Sequence, residues 1–251
     1  MSEKIQKILS HYGYGSRRII EEMIKLGNIS VNGKKAEVGQ RLDNKNPGEI
    51  KIKGAIIPIQ KTQFKTKIII YNKPEGEICT RNDDKKRPTV FDKLPFLKIH
   101  RWISIGRLDL NTRGLLLFTN NGYLANQLMH PRNKVEREYY IRVFGDINKN
   151  TMNILKNGVK IKDGYVSFKS IQPMHNQELS KKNKWFKGVL CEGKYREIRS
   201  MWKTVQCQVN RLIRIRYGNI MLPKNLKLGH WTELNSILVD NLLNTVYFEK
   251  H

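Results

Sequence analysis

The stretch Gly106–Gly122, GRLDLNTRGLLLFTNNG, constrains this chain more than any other. It sets a single carboxylate, Asp109, among glycines and turn-forming polar residues, just ahead of an apolar run. Ile103 and Ile105 alternate with Trp102 and Ser104, which predicts a strand, and Leu115 to Phe118 predict a second, buried one. Asp109 therefore falls on the connection between two sheet strands, where Asn111, Thr112 and Gly114 suit a tight turn. Strands on both sides would aim the carboxylate, and Arg107 is near enough in sequence to pair with it or with a phosphate. Taken alone, an Asp in such a loop is a turn or capping residue.

A chain of 251 residues holds one large domain or a small one plus a medium one. Lys and Arg number 47 against 22 Asp and Glu, a formal charge of +25 spread along the chain. A field of that sign favours a polyanionic partner, nucleic acid ahead of an anionic membrane surface. There is no apolar run of ~18 or more residues, and the first residues lack the basic-then-apolar layout of a secretion signal. A cytoplasmic location is expected. Cys79, Cys191 and Cys207 form no C-x-x-C pair, and the histidines show no H-x-x-x-H or H-E-x-x-H spacing, so neither a disulfide framework nor a metal is expected.

Residues 1–60 read as a small module. Ile5, Ile8, Leu9 and Tyr12 recur at helical spacing, and Ser16 is placed to cap a second helix carrying Ile19, Ile20, Met23 and Ile24, ended by Gly27. Ile29 and Val31 lead into Asn32-Gly33, a strong hairpin signal, with Lys34 to Val38 running back. The basic, aperiodic text from Pro58 to Lys67 predicts a linker, set at 61–67, before a second domain over 68–251. There Ile68 to Tyr71 predict a buried strand, NKPEG at 72–76 a turn fixed by Pro74 and Gly76, Asn82 to Arg87 a charged loop, and Thr89 the cap of a short helical turn. Gly122 to His130 predict a helix stopped by Pro131, Val135 to Phe144 an alternating strand, Thr151 to Lys156 a helix, and Asn176 to Lys184 a polar loop. Trp185 to Cys191 reads as a strand, Glu192 to Trp202 opens a helix, and Val209 to Tyr217 alternates apolar and basic residues.

The full string G-R-L-D-x-x-T-x-G-L-L-L-x-T-x-x-G resembles the signature of the pseudouridine synthases that modify ribosomal RNA, in the branch with a small N-terminal RNA-binding module. NKPEG, the R-x-Y of Arg137 and Tyr139, and EGKYREIRSMW at 192–202 carry the same resemblance, with Glu197 in place of the usual Gln and Ser200 in place of a second Arg. S-R-R at 16–18 followed by G-x-I-x-V-N-G-K at 27–34 resembles the αL RNA-binding motif shared with a ribosomal small-subunit protein. Trp202, the run QVNRLIRIRYG and the tail to Leu234 are most similar to the subgroup acting on the large ribosomal subunit. The resemblance implies Asp109 as catalytic carboxylate, Tyr139 stacking on the target base and exchanging a proton through its hydroxyl, and Arg199 ion-paired with Asp109. It further implies an apolar floor for the base at Leu212; Arg107 is a candidate to hold the space the base vacates or to grip its phosphate, and Arg196 is a further candidate substrate contact. Arg17, Arg18, Lys25, Lys34 and Lys35 would meet RNA phosphates. Without the resemblance, Tyr139 reads as a core aromatic and the cations as solvated faces.

Conversion of uridine to pseudouridine breaks the bond from N1 of uracil to the ribose, turns the freed base and joins its C5 to the same sugar carbon. No atoms or electrons are gained, so no cofactor is expected. The carboxylate must stay ionised in a dry pocket, which a neighbouring guanidinium favours. Asp109 could attack the sugar, attack the base or remove a sugar proton, and the sequence leaves these three open. The uridine must also leave its stack to be reached. Two rivals stand beside this reading: a non-catalytic RNA-binding or ribosome-assembly factor, supported by charge alone, and a nuclease, which would need clustered carboxylates or paired histidines. The fold expected is α+β: a small helical RNA-binding module with a β-hairpin, then a catalytic domain with a mixed, mostly antiparallel sheet flanked by helices. A monomer acting on ribosomal RNA or an assembling subunit is expected.

Overall fold

The computed structural model describes residues 2–43, 46–59, 65–97, 101–174 and 182–247. Most of the expected linker and most of the polar loop from Asn176 lie outside the described residues. The chain clusters into two compact units. The first comprises Met1–Thr66 with Pro95–Trp102 and Asn120–Gly122, the second Lys67–Leu94, Ile103–Thr119 and Tyr123–His251.

The first unit contains β1 (Ser2–Lys4), α1 (Ile5–His11), α2 (Arg17–Lys25), β2 (Ile29–Val31), β3 (Lys34–Lys35), β4 (Arg41–Asp43), β5 (Ile50–Ile52) and β6 (Ala55–Ile56). Ser16 caps α2 as its position suggests, its hydroxyl accepting from the Ile19 amide at 3.1 Å. Asn32 and Gly33 take φ of 49° and 79°, the left-handed pair that a two-residue hairpin turn demands. The returning strand is shorter than Lys34 to Val38, and the hairpin is widened into a four-stranded sheet in the order β3-β2-β5-β6. Ile5, Ile8 and Leu9 of α1 meet Ile20 and Ile24 of α2 and Ile29, Val31 and Ile50 of the sheet in one small core. Ser2–Lys4 is not helical: it pairs antiparallel with β4, a contact far away in sequence.

The second unit is built from β7 (Ile68–Lys73), β8 (Ile103–Ile105), β9 (Arg113–Thr119), α3 (Gly122–Met129), β10 (Arg137–Phe144), α4 (Lys149–Asn157), β11 (Val159–Ile161), β12 (Gly164–Val166), β13 (Ser170–Pro173), β14 (Asn183–Leu190), α5 (Glu197–Thr204), β15 (Gln208–Tyr217), β16 (Ile220–Met221), β17 (Trp231–Glu233) and α6 (Ser236–Tyr247). Among the described residues its mixed sheet has nine strands in the order β13-β14-β10-β15-β9-β7-β17, with β16 on β15 and β8 on β9. The β15–β9 pair is parallel and its described neighbours are antiparallel. The chain is α+β, as its alternation of helical and strand periodicities implies.

Strands β7 and β9 are buried along nearly their whole length, which is why they read as apolar runs and not as alternations. On one face Ile68, Ile70, Leu115 and Leu117 pack with Leu124 and Leu128 of α3 and Leu242 of α6. On the other, Phe118 stands between Tyr71 and Phe91, with edge-to-face ring centroids at 6.1 and 5.4 Å. Gly114 permits the parallel pairing: its φ is +106°, and a Cβ there would lie 2.3 Å from the Arg214 carbonyl oxygen on β15. One local expectation fails. Thr89 opens a turn and no helix, because the Asp92 carboxylate accepts from both its amide and its hydroxyl, at 2.8 and 2.6 Å, and closes the chain on itself. Among the described residues no helix is long and apolar enough to cross a membrane.

Candidate active site

Asp109 is half-buried on the loop between β8 and β9, which leaves β8 at Gly106 with φ +78°. Its carbonyl oxygen accepts from the Thr112 amide at 3.0 Å, closing the turn that Asn111 and Thr112 suggested. A second element fixes this loop from below. Lys73, the last residue of β7, is completely buried. Its ammonium donates to the carbonyls of Pro74 at 2.9 Å, Asp109 at 3.1 Å and Thr112 at 2.9 Å. The Gly76 amide donates to the Leu110 carbonyl at 2.9 Å, so the NKPEG turn and the Asp109 loop are stitched together at several points. Burial pushes the Lys73 ammonium below its ordinary pKa, opposed by Cys79, Glu77, Asp109 and Glu75 around it. Sequence reasoning read only Pro74 and Gly76 in this motif. The signal for Lys73 was present, since a Lys ending a wholly apolar strand has no solvated face to reach.

The loop opens into a cavity of about 840 Å³ within the second unit. Asp109, Tyr139, Arg199, Leu212, Arg107 and Arg196, named from loops, strands and a helix far apart in sequence, all line it. Tyr139 is 8% exposed, paired across β10 with Gly188 of β14 and Arg214 of β15. A bulge between Glu138 and Tyr139 re-aims the strand at this point. Tyr140 is half-buried and lies outside the lining, as strand alternation requires. Leu212, 5% exposed, supplies an apolar wall, while Arg107 and Arg196 are exposed at the rim.

Arg199 differs from expectation. It lines the cavity, but among the described residues it forms no ion pair with Asp109. Its guanidinium donates to the carbonyls of Val209 at 2.6 Å and Asn111 at 2.9 Å. The reason is geometric: a guanidinium offers a rigid fork of donors, and two main-chain carbonyls engage both of its terminal nitrogens and set its direction. Burial lowers its pKa, and the Asp109 charge opposes that shift, so the two groups still feel one another.

Two further residues at the site, Arg214 and Cys79, carried no expectation, and Arg137 was marked only as the Arg of the R-x-Y motif. Arg214, two positions after Leu212 and hence on the same face of β15, is 2% exposed. Its Nε donates to the Leu115 carbonyl at 2.7 Å, its guanidinium lies 5.1 Å from the Tyr217 ring centroid, and its Nη2 has no hydrogen bond among the described residues. Arg137 is buried and ties β10 to its surroundings through the carbonyls of Val135 and Cys191 and the Tyr217 hydroxyl. Cys79 exchanges bonds with the Leu108 main chain, and burial raises its pKa. The alternation of basic and apolar residues along β15 was the available signal for Arg214.

In the first unit, Arg17 and Arg18 open α2, Lys25 lies in its last turn, and Lys34 and Lys35 form β3. All five are exposed or nearly so. Among the described residues no group of three or more His, Cys, Asp or Glu could hold a metal ion.

Residues 67–204 match the family model described as RNA pseudouridylate synthase, and residues 3–46 match that of the S4 domain. The chain is 78% identical over 246 residues to the ribosomal large subunit pseudouridine synthase B of Buchnera aphidicola subsp. Acyrthosiphon pisum (strain APS), the match covering 98% of each. It is 49% identical over 236 residues to the protein of the same name from Escherichia coli (strain K12), covering 94% of this chain and 80% of that relative. A crystal structure of a pseudouridylate synthase superposes with a TM-score of 0.65 at 19% identity, covering 95% of this chain and 99% of that one, which is a likeness of fold.

Proposed function

The chain belongs to the RNA pseudouridylate synthase family, and from that premise we propose that it converts a uridine of large-subunit ribosomal RNA to pseudouridine with Asp109 as the catalytic carboxylate. One observation carries the assignment: Asp109 shares a single cavity with Tyr139, Leu212 and Arg199, residues that arrive from four separate elements. A carboxylate, a phenol, an apolar wall and a guanidinium are the groups that glycosidic cleavage of an extruded nucleotide requires.

Each residue then has a role. The extruded uracil enters between the Tyr139 ring and Leu212, which replace the stacking lost when it leaves the RNA. Asp109 acts on the ribose or the base as the N1–sugar bond breaks. The freed base turns, C5 bonds the sugar carbon, the C5 proton departs and N1 regains a proton. Atoms and electrons balance within the substrate, so the reaction needs no co-substrate or redox cofactor. Lys73 holds the loop through the Asp109 and Thr112 carbonyls, and Arg199 holds the Asn111 carbonyl between them. They are positioning residues: they fix where the carboxylate stands and surround it with positive charge. Arg107 and Arg196 at the rim meet phosphates.

We place RNA capture in residues 1–60 and chemistry in 68–251, in a monomer working in the cytoplasm on ribosomal RNA or an assembling subunit. The matched S4 segment and the exposed cations of α2 and β3 support the first part. The test uses Asp109→Asn and large-subunit ribosomal RNA, with carbodiimide labelling and primer extension to detect the isomer. Turnover is expected to vanish while RNA affinity persists. Normal turnover in Asp109→Asn would end the assignment.

A further inference from the structure

Tyr195 stands at the mouth of the Asp109 cavity and is 69% exposed. A lone exposed tyrosine is ordinary. This one is set apart by how firmly the chain under it is held. Lys194 to Glu197 form a closed turn: the Glu197 carboxylate accepts from the Lys194 amide at 3.2 Å, and the Glu197 amide donates to the Lys194 carbonyl at 3.3 Å. Arg196 takes a left-handed φ of 48°, and its carbonyl accepts from Ser200 inside α5 at 2.9 Å. Glu197 itself is buried, so the turn is anchored in the protein. A rigid turn therefore presents an aromatic ring that engages no partner among the described residues. Of its two cationic neighbours, Lys194 is committed to Glu192 at 2.9 Å and to the Tyr165 carbonyl at 3.0 Å. Arg196 is exposed at the rim with no ion pair among the described residues.

We infer that Tyr195 and Arg196 form a second nucleotide subsite, in which the Tyr195 ring stacks on the base adjoining the extruded uridine and Arg196 holds the phosphate between them. The inference rests on the proposed function and deepens it. Division of labour within the cavity supports it: Tyr139 and Leu212 are buried and enclose one base, whereas Tyr195 lies outside them, where the strand must pass. Every base has a face to stack, so an aromatic at the mouth grips a neighbouring nucleotide whatever its identity, and a guanidinium beside it supplies the phosphate contact. A chain of +25 charge attracts a polyanion, and Arg107 and Arg196 are exposed cations at this cavity.

The test measures two quantities on the full-length protein with large-subunit ribosomal RNA: affinity in an Asp109→Asn background, where nothing turns over, and kcat and KM in the active protein. Tyr195→Ala is expected to weaken affinity about ten-fold and raise KM similarly, with kcat unchanged, while Tyr195→Phe binds as the parent does. Arg196→Ala is expected to make the salt dependence of binding shallower by roughly one ion per site. Tyr165→Ala, which removes a tyrosine 73% exposed but outside the cavity lining, is expected to change neither quantity. Parental affinity in Tyr195→Ala, equal losses in Phe and Ala, or an equal loss in Tyr165→Ala would each overturn the subsite. Absence of pseudouridine with intact Tyr195 effects on affinity would instead count against the proposed reaction.

Discussion

A guanidinium beside a carboxylate acts by its charge and by the direction of its donors, and Arg199 separates the two. Its fork is occupied by the carbonyls of Val209 and Asn111, so its charge reaches Asp109 through space while its geometry fixes the loop two residues further on. Lysine at this position keeps the charge and loses the fork, since an ammonium is a point donor on a flexible stem. Arg199→Lys is therefore expected to lower kcat by about 100-fold with KM little changed, because a carboxylate displaced by even ~1 Å loses its line to the reacting atoms. Single-turnover kinetics on saturating RNA reads this directly. A parental rate in Arg199→Lys would show that charge suffices and that the bonds to Val209 and Asn111 are incidental. Lys73 is the complementary case: a cation buried among carbonyls, whose worth lies in the oxygens it joins.

The turn that opens α5 carries its own titrating group. Glu197 accepts from the Lys194 amide, yet burial holds its carboxyl above the ordinary pKa. The folded chain then binds that proton more tightly than the unfolded chain does, so this residue's contribution to stability is full below the usual carboxylate range and is lost as pH rises through the raised value. Glu197→Gln keeps an oxygen to accept the amide and removes the charge. At neutral pH it is expected to melt higher than the parent, with the gain closing as the solution is acidified. Calorimetry across pH checks it; a gain independent of pH would place the effect elsewhere. The same segment shows what was legible beforehand. Helix α5, strands β7, β9, β10 and β15, and the Asp109 loop each declared themselves, because their periodicity or turn chemistry is local. Asp109, Tyr139, Leu212 and Arg199 could be named because their motif surrounds them. What could not be read depends on atoms distant in sequence: the pairing of Ser2 with Asp43, the burial of Lys73 beneath a loop far along the chain, and the two carbonyls that intercept Arg199. Thr89 misled for a local reason, since its capping chemistry suits a turn as well as a helix.

Across the whole molecule, charge governs how the protein meets RNA. A chain of +25 gains much of its RNA affinity from released counterions, which is non-specific and falls steeply with salt. The five cations of α2 and β3 belong to the matched S4 segment and stand on a small core of their own, so their share can be removed without touching the Asp109 cavity. Replacing Arg17, Arg18, Lys25, Lys34 and Lys35 together by Gln is expected to raise KM steeply at physiological salt, leave kcat at saturating RNA unchanged, and reduce the slope of log affinity against log salt by roughly 3 to 5. The three readings are linked, because phosphate contacts position the substrate and contribute nothing to the barrier of a reaction taking place at the ribose. An unchanged slope would mean that these side chains face solvent in the complex. A loss in kcat with an intact slope would mean that the first unit shapes the reacting nucleotide as well as holding it, and that RNA capture and chemistry are not separable in this chain.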